Sequence, residues 1–470
     1  MQTIDKKSTK RAWAGAIAEP AKEFPLTPLP IISGKIPTGL RGTLYRNGPA
    51  RLERGGMGVG HWFDGDGAIL AVNFTDAGAS AVYRYVQTAG YQQETAAGKF
   101  LYGNYGMTAP GPIWNQWLKP VKNAANTSVL ALPDKLLALW EGGQPHALDL
   151  QTLETWGEDS LGGLTNGLNY SAHYKQDPHT GEIFNFGINP GVNGTLNVYK
   201  SDSTGKIIQK AAYPLNGVPL VHDFVLAGQY LIFFIPPVRL NMLPVLVGVD
   251  NYSDSLKWQP QLGTQIIVIN RETLSLVSRG ETEPWYQWHF GNGYVDDSGA
   301  VIVDVARYQD FQTNQYLQEV AAGETHTPAQ STLSRVTLNP QTGKVTAIEQ
   351  LLDRHCEFPG VPQQNVGQMS RYTYMSGFRP GTDISQEILN AIARFDHKTQ
   401  ILTEANLGEN RYPSEPIPVD DWVLTVVYDG NFHRSEVWVY DGDRLDQEPV
   451  CQLELPSVIP HSFHGTWRTA

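Results

Sequence analysis

The sequence contains little that would place it among small secreted proteins or membrane-spanning proteins. Only two cysteines, Cys356 and Cys451, occur among its 470 residues. They could form one disulfide bond, but they are too few for a disulfide framework or a thiolate metal cage. We expect two buried free thiols. No apolar run approaches the roughly 20 residues that span a bilayer. Because Met1–Lys7 also lacks the apolar core of a secretory signal, we predict a cytoplasmic protein.

Charged residues are scarce, and positive charge is the rarer kind. Charged side chains make up 17% of the chain, and 35 lysines and arginines against 47 acids leave a formal net charge of -12. No basic stripe is present to neutralise phosphates, which argues against nucleic acid as a partner. Hydrophobic residues make up 41%, which permits a large folded core.

Turn-forming residues are abundant. The 46 glycines, 31 prolines and 10% aromatic residues are typical of many short strands joined by tight turns. A short motif recurs between the strand-like runs: Asp or Asn followed three positions later by Thr, at Asp149, Asp177, Asn270, Asn339 and Asp396. An Asp or Asn in this position bonds the backbone two residues on and closes a turn. Such repetition favours a β-propeller, although an ordinary β-sandwich with similar turns fits the same pattern.

Two apolar segments interrupt the strand pattern. Residues 107–122 place Ile113, Trp114, Trp117, Leu118 and Val121 at helical spacing beside Lys119 and Lys122, and residues 236–249 are rich in Val, Leu and Met. Tryptophan and lysine on an amphipathic segment are typical of helices that dip into a membrane interface. A helix that caps the core would have the same composition, and both interpretations stay open at this point.

Histidine is the commonest metal ligand in proteins, and several histidines occur in strand-like contexts. Near the chain end, His461 and His464 lie in a stretch with aromatic residues. The last residues of most domains are poorly ordered, so residues of this kind are unexpected there. Three more lie at strand ends: His173, His222 and His289. No two of these form a local HExxH pair, so only strands that converge on one axis would gather them.

Three glutamates lie in apolar or turn-rich surroundings without an adjacent basic partner: Glu141, Glu357 and Glu415. A buried carboxylate needs hydrogen-bond donors. The ring N–H of a metal-bound histidine is such a donor, and this bond sets the tautomer of the ring. The sequence is therefore compatible with a histidine metal site that carboxylates support from outside.

An ordered series of motifs along nearly the whole chain resembles the carotenoid cleavage oxygenases. The motifs are Tyr-Arg-Asn-Gly-Pro at 45–49, Phe-Asp-Gly-Asp-Gly at 63–67, Ala-Asn-Thr at 125–127, Leu-Trp-Glu at 139–141, Ala-His at 172–173, His-Asp-Phe at 222–224, His-Phe at 289–290, Glu-Phe-Pro at 357–359, Ser-Glu-Pro-Ile at 414–417 and Phe-His-Gly-Thr-Trp at 463–467. The resemblance implies one all-β domain over 1–470, a seven-bladed β-propeller with an axial metal site, an N-terminal extension over 1–35 and a helical or loop cap on one face.

The resemblance also implies the site residues. Fe²⁺ would be held by His173, His222, His289 and His464, so that His461 is not a ligand. Glu141, Glu357 and Glu415 would support His222, His289 and His464 in that order, leaving His173 without a carboxylate. Thr127 would lie beside the iron, and Trp140 and Tyr308 would line the substrate tunnel. Iron is implied by the family alone, because imidazole ligands also suit other metals.

The implied reaction inserts O₂ across one conjugated double bond of an apocarotenal or apocarotenol and yields a retinal-like product and a short aldehyde. A lipid substrate favours the membrane interpretation of 107–122 and 236–249, so we expect peripheral membrane association. Cleavage of stilbenes, which related enzymes catalyse, is one alternative, and a propeller that binds a carotenoid without catalysis is another. Stilbene-cleaving relatives hold a phenol with a tyrosine and a lysine, and here Trp140 stands at the lysine position while Tyr105 matches the tyrosine. A further departure lies around the third ligand: relatives often have Phe before it and Asn-Ala after it, and this chain has Trp288 and Asn292-Gly293.

Overall fold

Short antiparallel strands build the molecule, as the abundance of turn residues predicts. The computed structural model describes residues 11–118, 120–165, 167–328 and 330–470. In the first third of the chain the strands are β1 (Phe24–Pro28), β2 (Ile31–Gly34), β3 (Gly42–Arg51), β4 (Glu53–Arg54), β5 (Met57–Gly58), β6 (Asp66–Thr75), β7 (Gly78–Tyr85), β8 (Ser128–Ala131), β9 (Leu136–Leu139), β10 (His146–Leu148) and β11 (Thr155–Glu158).

The remaining strands follow in chain order. Those of the middle third are β12 (Lys175–Gln176), β13 (Ile183–Asn189), β14 (Thr195–Ser201), β15 (Ile207–Pro214), β16 (Val225–Ala227), β17 (Tyr230–Ile235), β18 (Val238–Leu240), β19 (Leu256–Trp258), β20 (Thr264–Asn270), β21 (Leu276–Thr282), β22 (Tyr286–Val295) and β23 (Val301–Tyr308). Those of the last third are β24 (Ser331–Asn339), β25 (Lys344–Gln350), β26 (Cys356–Gly360), β27 (Tyr372–Gly377), β28 (Ala391–Asp396), β29 (Ile401–Glu404), β30 (Arg411–Pro413), β31 (Ile417–Val419), β32 (Trp422–Asp429), β33 (Arg434–Asp441), β34 (Cys451–Glu454) and β35 (Gly465–Thr469).

Helices are few and short. The α-helices are α1 (Ala89–Ala97), α2 (Asn115–Leu118), α3 (Met242–Leu246) and α4 (Gln312–Ala322), and 3₁₀ turns occupy Ala12–Ile17, Trp62–Asp64, Pro260–Leu262 and Gln363–Asn365. Among the helices of the described ranges, none has the length and apolar character needed to cross a membrane.

The long sheets form seven blades of four to six strands within the described residues. From the innermost strand outward, blade 1 is β35-β3-β6-β7-β1, blade 2 is β8 to β11, blade 3 is β12 to β15 and blade 4 is β16-β17-β20-β21. Blade 5 is β22 to β25, blade 6 is β26 to β29, and blade 7 is β30/β31-β32-β33-β34-β2. The pairing of β35 with β3 joins the two ends of the chain within one blade, which is why the C-terminal strand is ordered.

The hydrophobic core is divided into layers between successive blades. Seven clusters of buried side chains each join two neighbouring blades, from blades 1 and 2 around to blades 7 and 1. Each blade is therefore covered on both faces, which explains continuous apolar runs such as Tyr230–Ile235. In that strand Leu231 and Phe233 pack toward blade 3, whereas Ile232 and Phe234 pack toward blade 5. The layers close into a ring, which confirms the predicted propeller and excludes the sandwich.

The predicted Asp and Asn turns are confirmed. The side-chain oxygen of each of the five residues accepts the backbone N–H groups two and three positions on. These turns join first to second or third to fourth strands of their blades, so they share one face of the ring. The opposite face, where innermost strands begin, receives the connections between blades and those from second to third strands. Those longer connections build the cap.

The prediction of helical spacing across residues 107–122 is wrong for most of the segment. Only α2 is helical there, because Pro110, Pro112 and Pro120 prevent a longer helix. Residues 236–249 are divided between β18, which is buried in the cap, and α3. Lys119 of the first segment, and residues 1–10 of the predicted N-terminal extension, lie outside the described residues. The described part of that extension supplies β1 to blade 1 and β2 to blade 7.

Candidate metal centre

Four histidines meet on the axis of the ring because each lies where an innermost strand begins. His173, His222 and His464 precede β12, β16 and β35, and His289 is the fourth residue of β22. All four are buried. One ring nitrogen from each lies within 4.8 Å of the corresponding nitrogens of the others. The structure therefore gathers the four histidines that the family resemblance implies, and His461 lies apart, with Nε2 2.8 Å from the carbonyl oxygen of Trp13.

The ring nitrogens are arranged as a metal would require. Nε2 of His222 lies 2.9 Å from Nε2 of His173 and 3.3 Å from Nε2 of His289. Where Nδ1–H donates to a carboxylate, Nε2 of a neutral ring carries a lone pair. Several lone pairs directed at one point repel each other, and a cation at that point removes the repulsion. The donor set thus fits a divalent transition metal.

Carboxylates face three of these four rings on the side away from the centre. The pairs are Glu141 with His222, Glu357 with His289 and Glu415 with His464. The Nδ1-to-oxygen distance is 2.5 Å in the second pair and 3.0 Å in the third. In the first pair Oε1 touches Nδ1, although the angles are not those of a hydrogen bond. Within the described ranges, His173 has no carboxylate partner of this kind.

Glu415 is held by a buried arginine. Arg46 Nη1 donates to Glu415 Oε2 at 3.2 Å, and the backbone N–H of Gly465 donates to the same oxygen at 2.8 Å. The guanidinium of Arg46 is also bonded to the hydroxyl of Ser462 and to the carbonyl of Phe463. Arg46 therefore connects the carboxylate to the segment that carries His464.

Glu357 is held by neutral donors. The hydroxyl of Tyr308 donates to Oε1 at 2.9 Å, and the backbone N–H of Phe358 donates to Oε2 at 2.8 Å. Phe358 has a φ of 51°, a strained left-handed conformation for an aromatic residue, and its ring stacks on His289 with 5.0 Å between ring centroids. Glu141 differs, because its side chain is 29% exposed and only its contact with His222 is found among the described residues.

Burial and the facing glutamates together shift the pKa values of the histidines. It lowers the pKa of His173 well below the usual value, and it also lowers the pKa of His464, although Glu415 opposes the second effect. Burial acts in the same direction on His289, but Glu357 outweighs it and raises the pKa of that ring. Burial opposes ionisation of Glu415, yet His464 and Arg46 bring its pKa below the usual value. Neutral rings with ionised carboxylates behind them are the state in which a metal binds.

An apolar cavity opens onto the centre from the cap side. It is lined by aromatic and aliphatic side chains that include Trp62, Phe63, Trp288, Leu317, Phe378, Ile388, Leu389 and Phe463. The hydroxyl of Ser376, on the same wall, has no hydrogen-bond partner in the described structure. No lysine or arginine lines this cavity in the described ranges. The arrangement suits a long apolar ligand with a small polar group.

The three further residues that the resemblance placed at the site lie at different distances from it. Thr127 lines the cavity, and its carbonyl accepts the backbone N–H of His464 at 3.3 Å. Tyr308 also lines the cavity. Trp140 is half-buried with its ring against Gly142, and it is not among the residues that line the cavity. Its role in the tunnel stays a prediction.

Sequence reasoning missed two charged residues beside the centre. Arg46 and Asp223 are both buried, and both belong to motifs that were recognised for other residues. The available signal was a charged residue in the middle of a strand for Arg46, and a charged residue directly after a candidate ligand for Asp223. Their contacts with distant parts of the chain could not be read from that signal.

A ring of seven blades with four axial histidines defines a metal-dependent enzyme of the carotenoid cleavage oxygenase class. The chain belongs to this family, since the family model described as retinal pigment epithelial membrane protein matches residues 17–469. The apocarotenoid-15,15'-oxygenase of Synechocystis sp. is 33% identical, and the match covers 93% of this chain and 92% of the relative. Resveratrol cleavage oxygenase 1 of Aspergillus fumigatus is 27% identical over 93% of this chain and 91% of its own. The solved structure of cobalt-substituted Synechocystis apocarotenoid oxygenase has a TM-score of 0.86 at 30% identity and covers 98% of both chains.

Proposed function

We propose that this dioxygenase uses Fe²⁺ and O₂ to cleave one conjugated double bond of an apocarotenoid aldehyde or alcohol. The observation that carries the proposal is an apolar cavity that ends at four converging histidines. Both oxygen atoms of O₂ enter the two carbonyl products, so the reaction needs no further reductant. Iron is supported by membership of the family, and an apocarotenoid substrate by the similarity to the Synechocystis apocarotenoid-15,15'-oxygenase. We expect a retinal-like product.

Some residues of the chain would hold the metal, and others keep water away from the reacting double bond. When bound, Fe²⁺ would supply the site at which O₂ becomes reactive. His173, His222, His289 and His464 would hold it as neutral ligands, and the glutamates keep three of these rings oriented. Trp288 and Phe358 pack against His222 and His289, which keeps water from the reacting bond. The cavity walls bind the polyene by burying hydrocarbon, at about 25 cal/mol per Å².

A polyene suits this cavity better than a stilbene. A phenolate ligand would be stabilised by a cation, and in the described ranges the lining contains neither lysine nor arginine. Trp140 occupies the position of the lysine in stilbene-cleaving relatives. The hydroxyl of Tyr105 already donates to Asn314 Oδ1 at 2.7 Å. Of the two residues that would bind a phenol, the lysine is therefore absent and the tyrosine is already hydrogen-bonded to Asn314.

The cap offers a route from a lipid bilayer. We define the apolar patch as Ile113, Trp114, Trp117, Val121, Leu243, Leu246, Val247 and Val249, which are between 41% and 68% exposed. The indole N–H of Trp117 donates to the carbonyl of Leu246 at 2.9 Å, so the two segments form one surface. Contiguous exposed apolar side chains of this kind mark membrane or partner contact. We propose that the patch rests on a membrane while the substrate enters.

A side-by-side assay tests the substrate class. The purified protein, loaded with Fe²⁺, is given an apocarotenal and resveratrol in separate reactions, and the products are identified by mass. We expect cleavage of the apocarotenal and little turnover of resveratrol. Faster cleavage of resveratrol would overturn the substrate assignment and leave the metal centre intact. Bound iron without turnover of either compound would favour the non-catalytic alternative.

A further inference from the structure

One buried carboxylate connects three of the four histidine-bearing strands. Asp223 directly follows His222, and its side chain is only 2% exposed. Asp223 Oδ2 accepts the backbone N–H of Phe290, the residue after His289, at 3.0 Å. The ammonium of Lys175, two residues after His173, lies 2.8 Å from Oδ1. The backbone N–H of Phe224 completes the set, at 2.8 Å from the same oxygen.

These contacts differ in kind from those of the three glutamates. Glu141, Glu357 and Glu415 touch the histidine rings themselves. Asp223 instead bonds the backbone or side chain one or two positions beyond a ligand, on blades 3, 4 and 5. Blade 4 is thereby joined to both of its neighbours at the level of the metal. A shift of β12 or β22 along its blade would break one of these bonds.

Among the charged groups that contact the ligands or the residues beside them, negative charge exceeds positive charge. Four carboxylates lie in contact with the ligands or their neighbours: Glu141, Glu357, Glu415 and Asp223. Two cations are paired with them, Arg46 and Lys175. Two negative charges remain, which matches one divalent ion. Without Asp223, the ammonium of Lys175 would lie near the metal with no carboxylate partner, and this positive charge would repel the metal.

We propose that Asp223 is a positioning residue of the metal centre, which sets the spacing of three ligand strands and neutralises Lys175 so that a divalent metal binds tightly. The inference rests on the metal-binding part of the proposed function. It predicts an effect on metal affinity and on ligand geometry that is independent of any substrate.

The test uses cobalt(II) binding to the metal-free full-length protein, because visible cobalt absorption depends on ligand number and geometry. Asp223→Asn keeps the size of the side chain but cannot accept both backbone N–H groups or pair with Lys175. We expect its cobalt affinity to fall roughly 10–100-fold, as changes next to a metal ligand usually cause. We also expect a changed absorption spectrum in the loaded protein. Affinity and spectrum equal to those of the wild type would overturn the proposal.

Two companion variants separate the charge of Asp223 from its bonds. Lys175→Met removes the cation and leaves the backbone bonds of Asp223, so we expect cobalt affinity at or above that of the wild type with an unchanged spectrum. The double variant Asp223→Asn with Lys175→Met removes the unpaired ammonium, and it can be measured if Asp223→Asn alone does not fold. We expect the double variant to bind cobalt about 10-fold less tightly than the wild type, with the altered spectrum. A wild-type spectrum and affinity in the double variant would overturn the positioning role.

Asp429 provides a matched control. It is fully buried, pairs with Arg411 Nε at 2.9 Å and accepts the backbone N–H of Asn431, yet it contacts none of the histidine-bearing strands. We expect Asp429→Asn to lower the melting temperature and leave cobalt affinity and spectrum unchanged. An equal loss of cobalt affinity in both Asp→Asn variants would overturn the proposal in favour of general destabilisation. Absence of cobalt and iron binding in the wild type would overturn the proposed metal centre itself, which the comparison of variants does not test.

Discussion

The axis of the ring and the cap above it are built in opposite ways. At the axis, buried polar side chains from different blades are paired with one another, as Arg46 is with Glu415 and Tyr308 with Glu357. In the cap, α2 and α3 contain only four and five residues, and the apolar patch faces outward. The axis depends on strands that are paired within complete blades, which fix positions closely, whereas the cap depends on short segments that prolines interrupt.

Under the proposed function, this difference gives the two parts of the enzyme separate tasks. A metal centre needs ligands held to a fraction of an ångström, which paired strands provide. Substrate uptake from a lipid phase needs exposed hydrocarbon, which a rigid polar axis cannot offer. Changes at the axis should therefore affect the metal, and changes in the cap should affect membrane contact. The following predictions test that separation.

The largest effect is expected from His464→Ala. Loss of one of four ligands should abolish bound iron or activity, because the three remaining rings and the carboxylates would leave the site incomplete. His461→Ala is the control for iron content: it is equally buried and three residues away, and although it lines the cavity, it contacts Trp13 rather than the centre. Iron content by elemental analysis and turnover measure both variants. Full iron occupancy and full turnover in His464→Ala would contradict the ligand assignment.

Glutamine in place of the glutamates should have a smaller effect. We expect a roughly 10–100-fold loss of affinity or activity for Glu141→Gln, Glu357→Gln or Glu415→Gln. Glu415→Gln should be the most severe, because it also leaves the buried cation of Arg46 unpaired. Glu141→Gln should be the mildest, since that side chain is partly exposed. Iron titration of the metal-free proteins gives the ranking, and equal losses in all three would contradict it.

Charged residues in the apolar patch should weaken membrane binding and spare the metal. Trp117→Glu and Leu246→Glu place a charge where hydrocarbon would enter the bilayer, so liposome binding should fall while iron content stays unchanged. Ile401→Glu is a matched control, because Ile401 is 59% exposed on the outer strand of blade 6. Liposome co-sedimentation measures all three. Unchanged sedimentation of both patch variants would show that the segments only cap the core.

The smallest effect is expected at the turns on the face opposite the cap. Asn339→Ala removes the side-chain oxygen that accepts two backbone N–H groups between β24 and β25. Because the turn is exposed, the loss should be about 1 kcal/mol in the free energy of unfolding. Denaturant unfolding measures it, with iron content as the internal reference. A loss of iron without loss of stability would contradict the separation between axis and periphery.

Much of the fold was accessible from local sequence patterns. The Asp and Asn turns predicted the hairpins because their hydrogen bonds span only two or three residues. The apolar run Tyr230–Ile235 follows from burial of both faces of a blade. The helix expected over 107–122 failed for a local reason as well, since the prolines in that segment outweigh its apolar spacing.

Which histidines bind the metal could be predicted only from the family motifs. His173, His222 and His289 are separated by 49 and 67 residues, and local rules carry no information over such distances. Equally, local rules could not distinguish His464 from His461. Closure of the ring decides between them, because His464 immediately precedes the innermost strand of blade 1, whereas His461 turns toward Trp13.

The sequence by itself determined the turns, the two-sided apolar strands and the residue types of the centre, since these depend on neighbours along the chain. The family motifs implied which carboxylate supports which ring, whereas tertiary structure alone decided how Arg46 reaches Glu415 and how Asp223 joins three blades. Those contacts form between blades that are separated by tens to hundreds of residues. They exist because seven sheets close around one axis, and that closure is a property of all the interfaces between blades together.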